Sequence, residues 1–197
     1  MSELTDEARA EIEGLTRRFG EQTRAQARIR GAFFDPLQRT DRFGEVCMVV
    51  RKPSGKLIVA TKDFYPGHVF RLPTGGIHHG ERILDALLRE AHEETGLDVE
   101  VRRFLAAIAY LTPTGDEPIF HTFAFLLDEA GGTLASLDPA ERIYAFGEVD
   151  PTDLEAMAAR LDAIASDTST DIGGDWADWG AFRAVVHREV ARALSAA

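Results

Sequence analysis

The residues best suited to chemistry stand together in one block, Arg89-Glu90-Ala91-His92-Glu93-Glu94-Thr95-Gly96-Leu97, with Gly75 and Glu81 ahead of it. Glu90, Glu93 and Glu94 offer only oxygen donors, and the block holds no cysteine and no alternating histidine partner. Such a donor set selects a hard cation, Mg²⁺ or Mn²⁺, over Zn²⁺. Hard cations keep several waters and share phosphate oxygens with a substrate. The chemistry these residues point to is therefore a divalent metal acting on a phosphate compound.

A helix from about Glu81 to Thr95 is what positions them. Ile83, Leu84, Leu87, Leu88 and Ala91 recur at helical spacing and form one apolar stripe. At about 100° per residue, Glu90 and Glu94 (i, i+4) lie on one line and Glu93 flanks it. Measured from the middle of the stripe, Glu94 is about 60° away and Glu90 about 100° away on the same side, while Asp85, Arg89 and His92 project towards the far side. The acids thus belong at the rim of the core rather than on a solvated face. Like charges about 6 Å apart repel by about 3 kcal/mol per pair at an effective dielectric near 20, which is large beside a total stability of about 5–15 kcal/mol. With no basic residue between them on that face, a bound cation is the natural counterweight.

The stretch from Gly75 to Leu97 resembles the Nudix box, G-x5-E-x7-R-E-U-x-E-E-x-G-U. Gly75, Glu81, Arg89, Glu90, Glu93, Glu94, Gly96 and Leu97 fill its fixed positions, and Ala91 stands where a bulkier aliphatic residue is usual. Looser flanking patterns carry the resemblance from about Phe43 to about Leu161. The resemblance implies a Nudix-type α/β/α sandwich with a mixed sheet. It also implies hydrolysis of a nucleoside diphosphate linked to a further moiety, with Glu90, Glu93 and Glu94 holding Mg²⁺ or Mn²⁺. A late acid in a loop acts as base or extra ligand in such proteins; Glu141 is the first candidate here and Glu117 the reserve, so the base is either Glu93 or Glu141. Arg89 suits a bracing role, its guanidinium fork holding the carboxylate of Glu81. The family often dimerises through its N-terminal segment, so a homodimer is part of the expectation.

Around the box, Leu72-Pro73-Thr74-Gly75-Gly76 reads as a tight turn whose glycines let backbone approach a phosphate. Lys62 and Arg71 are candidates for phosphate contact, whereas His78 and His79 read as exposed loop residues. Val46 to Val50 and Leu57 to Ala60 form a hairpin about Pro53-Ser54-Gly55, with Cys47 in its core. Strands follow at Val99 to Tyr110 and Ile119 to Leu127, separated by a Pro/Gly loop that, like the run from Lys62 to Leu72, resembles ADP-ribose pyrophosphatases of the Nudix family. Residues from Thr5 to Ile29 read as helix with a break available at Gly20, and the pair Phe33 and Phe34 in the connector as a core anchor, with stacking on a base as the alternative. Helices are also expected from Asp153 to Ala165 and from Ala181 to Leu194. Between them a loop from Ser166 to Gly180 carries Trp176 and Trp179, read as packing the last helix down, with a lid over a base as the alternative.

The 197 residues, 45% of them hydrophobic, suffice for one full core. The expected division is a helical N-terminal extension over residues 1–42, a Nudix domain over 43–165, and a loop and C-terminal helix over 166–197. A net charge of −11 without any Lys/Arg-rich block argues against nucleic acid or an anionic membrane as partner. The single Cys47, the acidic start and the absence of an apolar run near 18 residues lead to the expectation of a cytoplasmic protein. The leading expectation for the partner is a small-molecule nucleotide diphosphate, ADP-ribose or another nucleotide sugar. A (d)NTP or dinucleoside polyphosphate, or a domain that senses nucleotides without cleaving them, is the alternative.

Overall fold

A computed structural model describes residues 4–31 and 33–196 of the chain. Its centre is a seven-stranded mixed sheet in the order β1-β5-β6-β2-β3-β7, with β4 pairing alongside β2. The strands are β1 (Thr23–Arg28), β2 (Arg42–Arg51), β3 (Leu57–Lys62), β4 (Thr74–His78), β5 (Leu97–Leu111), β6 (Pro118–Gly132) and β7 (Ile143–Val149). Helices α1 (Asp6–Phe19) and α2 (Ile83–Thr95) lie on one face, and α3 (Leu154–Asp162) and α4 (Trp176–Ser195) on the other. The expected α/β/α sandwich is the observed one.

Strand β2 shows why its sequence is apolar almost throughout. Val46, Met48 and Val50 point into the core beneath α2, while Cys47 and Val49 join the core beneath α3 and α4. A strand covered on both faces has no polar side to alternate with. It runs parallel to β6 from Gly44 to Arg51, and its other edge is shared: β4 takes Arg42 to Cys47, and β3 takes only Arg51. The divergence of β2 from β3 admits β4 and the box that follows it.

Several expected elements differ in extent or type. The N-terminal helix begins where Thr5 caps it, its hydroxyl accepting from the Ala8 amide, but ends at Gly20 with φ of 92°. Residues 23–28 are not helix; they form β1, an edge strand parallel to β5. The expected turn over 72–76 is extended, and Gly75 and Gly76 lie in β4 opposite Val46 and Glu45. The supposed loop 166–180 contains a two-stranded hairpin, β8 (Thr168–Ser169) with β9 (Gly174–Asp175). Asp175 then caps α4, which starts at Trp176, five residues before Ala181. Both tryptophans are buried and pack against Tyr65.

Candidate active site

Helix α2 presents the acids as its spacing requires. Ile83, Ala86, Leu87 and Ala91 are buried, which fixes the helix's rotation; each large aliphatic side chain so buried contributes about 1.5–3 kcal/mol. Leu88, expected in the buried stripe, is exposed, because the helix is rolled towards Ala86. Glu90 and Glu94 are buried and Glu93 is half exposed. Gly96 closes the helix in the left-handed conformation, φ 66°, its amide returning to the His92 carbonyl.

The N-terminus of α2 starts at Ile83, leaving Glu81 in the turn before it. There the Arg89 fork grips Glu81 through both oxygens, at 2.8 and 3.0 Å, as expected. The same guanidinium donates to Glu90 at 2.8 Å, to Glu93 at 3.0 Å and to the Gly76 carbonyl at 3.0 Å. One cation thus braces three carboxylates and a strand.

Across the cleft, a short 3-10 turn, Pro139–Glu141, brings Glu141 to the helix. Ligand oxygens of Glu90, Glu94 and Glu141 lie within 4.8 Å of one another. Lys62, at the end of β3, donates to Glu141 at 2.8 Å. Burial pushes the Glu94 carboxyl up to about 8, against the opposing pull of Lys62 and Arg71, and Glu141's charge adds to the rise. Burial likewise raises Glu90, although Arg89 opposes it. Burial pushes Glu141 up most strongly of any single cause, but the Lys62 ammonium, with Glu94 and Arg71 adding to it, holds that carboxyl below the usual range.

Three features show that these side chains fit a divalent cation. The Oε2 atom of Glu94 is sealed from solvent and has no hydrogen-bond partner in the protein. The donors are all carboxylate oxygens from two separate segments. Finally, a Cβ on Gly75 would stand 2.1 Å from Cδ of Glu90, so glycine is what leaves room for the carboxylate. Gly76 serves its neighbour in the same way, since a Cβ there would meet the Arg42 guanidinium at 2.2 Å. Both glycines make space for side chains rather than forming a turn.

These groups line a cleft of about 530 Å³ that also includes Arg39, Arg42, Phe64, Arg71, Trp179 and Arg183. Arg71 is buried in the cleft wall, its Nε donating to Tyr65 Oη at 2.8 Å and its Nη1 to the Leu72 carbonyl at 2.7 Å and to Thr74 Oγ1 at 3.1 Å. Glu117 is exposed and does not line the cleft. His78 and His79 are exposed as expected. Sequence reasoning missed Glu45 and Arg183, a buried ion pair in the cleft wall. Their signals were an acid at the head of the apolar β2 run and a cation in the apolar stripe of α4, Trp179, Phe182, Val186 and Val190.

The family model described as NUDIX domain matches residues 41–167, about two thirds of the chain. The protein belongs to the NUDIX family. Among curated relatives, an ADP-ribose pyrophosphatase of Methanocaldococcus jannaschii is 33% identical over 100 residues, half of this chain and 57% of that protein. The chain therefore spans little more than half the length of that relative. Solved structures similar to it include an ADP-ribose pyrophosphatase from Streptococcus suis 89-1591, with 16% identity and a TM-score of 0.44 over 77% of this chain and 90% of that one. A second comes from work on MutT of Aliivibrio salmonicida and Vibrio cholerae, with 16% identity and a TM-score of 0.39 over 58% and 85%. The NUDIX match takes in β2 to α3, whereas α1, β1 and α4 lie outside it. None of the described helices is long and apolar enough to cross a membrane.

Proposed function

We propose that this NUDIX protein is a Mg²⁺- or Mn²⁺-dependent pyrophosphohydrolase acting on a nucleoside diphosphate linked to another moiety, with ADP-ribose or another nucleotide sugar as first choice. The observation that carries the reading is the convergence of Glu90, Glu94 and Glu141 on one point in a cleft, with one buried carboxylate oxygen lacking any protein donor. The ADP-ribose pyrophosphatase relative supports the choice of substrate.

In this reading Glu90, Glu94 and Glu141 hold the ion. A divalent ion bound there supplies charge neutralisation for the diphosphate and lowers the pKa of a water. Arg89 keeps Glu81, Glu90 and Glu93 in place, and Lys62 keeps Glu141 ionised. Glu93, half exposed and oriented by Arg89, removes the proton of the attacking water. Lys62 and Arg42, which line the cleft, take phosphate oxygens, while Arg71 stays buried in the cleft wall. We also take the protein to be cytoplasmic and to form a homodimer through its N-terminal segment; size exclusion after deletion of residues 5–29 tests the latter, an unchanged dimer peak ruling that segment out.

The test is a panel of nucleotide sugars, dinucleotides and nucleoside triphosphates with Mg²⁺ or Mn²⁺, read by product identity. ADP-ribose plus water should give AMP and ribose 5-phosphate. Preferential cleavage of triphosphates or dinucleoside polyphosphates would redirect the substrate assignment, and a nucleotide that raises Tm without being cleaved would favour a sensing domain. Glu94→Gln should lose both Mn²⁺ binding and turnover. Glu93→Gln should keep Mn²⁺ binding and lose about 10²–10⁴-fold in kcat.

A further inference from the structure

Helix α4 lies outside residues 41–167, yet its Trp179 and Arg183 face the cleft. Arg183 Nη1 donates to both oxygens of Glu45, at 2.7 and 2.8 Å, and to Thr74 Oγ1 at 3.2 Å. Glu45 stands on β2 opposite Gly76, and Thr74 immediately precedes Gly75 on β4. One guanidinium therefore joins the two strands at the point where β4 carries Gly75 up to Glu90.

Stability is a poor explanation for this arrangement. Both charges are buried, and the Nε of Arg183 is sealed from solvent without an acceptor. Buried ion pairs rarely outperform apolar residues of the same shape, and an unsatisfied buried donor is a further cost. What the pair does is geometric. Because a Cβ at Gly75 would stand 2.1 Å from the Glu90 carboxyl carbon, even a small shift of β4 crowds or releases one of the three converging carboxylates.

We infer that Arg183 is a positioning residue, acting through Glu45 and Thr74 to hold β4, and with it the Glu90 carboxylate, where ion binding and turnover require it. The inference rests on the hydrolase reading above. It gives the C-terminal helix a part in the reaction that the matched region alone lacks.

The test is the double variant Glu45→Gln/Arg183→Met in the full chain. The amide oxygen at position 45 still accepts from the Thr122 hydroxyl, now at 3.0 Å, and removing one charge of each sign leaves the cleft's net charge unchanged. The variant should melt within about 5 °C of wild type. Its Kd for Mn²⁺, measured by electron paramagnetic resonance without substrate, should rise about tenfold, and kcat should fall about tenfold or more with KM within about threefold. Arg183→Lys, which keeps the charge but not the guanidinium geometry, should fall between the two. A folded double variant with wild-type Mn²⁺ affinity and kcat overturns the role of Arg183. If the double variant does not fold, a folded Arg183→Lys protein with both quantities unchanged overturns it instead. Failure of the wild-type protein itself to bind Mn²⁺ or to cleave any nucleoside diphosphate overturns the hydrolase reading, a separate outcome.

Discussion

At the scale of single residues, Gly75 is the most exacting position in the site. Its φ is unremarkable, so a side chain there meets no backbone strain; it meets the carboxyl of Glu90 instead. Gly75→Ala should therefore fold normally by circular dichroism while forcing Glu90 away from Glu94 and Glu141. A loss of about 10–100-fold in Mn²⁺ affinity is the expected size for disturbing the support of a metal ligand. Unchanged affinity would mean that Glu90 has room to spare and is not held as described. The glutamates of α2 were readable because helical geometry converts their spacing into a shared face, and burial of Glu90 and Glu94 beside a half-exposed Glu93 follows from the apolar stripe next to them. Glu141 was found only through resemblance, since nothing local to a 3-10 turn says what it faces. Glu45 and Arg183, 138 residues apart, left no spacing to read.

At the scale of elements, helix α2 depends on a neighbour for its start. Arg82 occupies the N-cap of α2 and makes no side-chain cap bond. The role passes to Glu11 of α1, whose carboxylate accepts from the Ile83 amide at 3.0 Å and the Leu84 amide at 3.2 Å. An acid there satisfies two otherwise orphaned donors and complements the helix dipole. Glu11→Ala should cost about 1–2 kcal/mol, a drop in Tm of about 2–8 °C, and Glu11→Gln, which keeps an acceptor, distinctly less. Equal Tm values for wild type and Glu11→Ala by calorimetry would show that α1 does not cap α2. Such a tertiary cap is invisible in local sequence, where the usual Ser, Thr or Asp is simply missing. The strand β1 was missed for a related reason. Thr23-Arg-Ala-Gln-Ala-Arg28 alternates half-buried and exposed positions at a sheet edge, and its small residues suit a helix equally well until pairing with β5 decides the matter. β4 was hidden because two glycines signal a turn, whereas here they are demanded by side chains on neighbouring elements.

For the whole molecule, the two buried histidines make fold stability depend on pH in a direction that can be worked out. His187 lies in α4 with no exposure; its Nε2 accepts from the Leu72 amide at 3.0 Å, which requires the proton on Nδ1, where it meets the Arg183 carbonyl at 2.8 Å. Burial lowers its pKa to about 4, with the nearby Arg71, Arg183 and Arg188 adding to the effect. His121, in β6, is lowered to about 4 by burial as well. In the unfolded chain both take up a proton near pH 6.5, so between about 6.5 and 4 the unfolded state binds more protons than the folded one. Stability from this source is complete above the unfolded value and is lost as pH falls towards 4, by up to about 3 kcal/mol for each histidine. The net charge of −11 acts the other way, because protonating surface acids relieves repulsion over the lower part of the same range. The histidine contribution is therefore isolated by comparison: urea unfolding at pH 7 and pH 4.5 should show wild type losing clearly more stability than His187→Gln, whose amide stays neutral throughout. The link between α4 and Leu72 runs through this imidazole and the link between α4 and β4 through Arg183, one turn earlier. Acid should accordingly loosen the C-terminal helix from the cleft before the sheet melts, visible as amide exchange in residues 176–195 at pH 5 ahead of exchange in β2. Simultaneous exchange of both would mean that the helix and the sheet form one cooperative unit, with the cleft lost only on global unfolding.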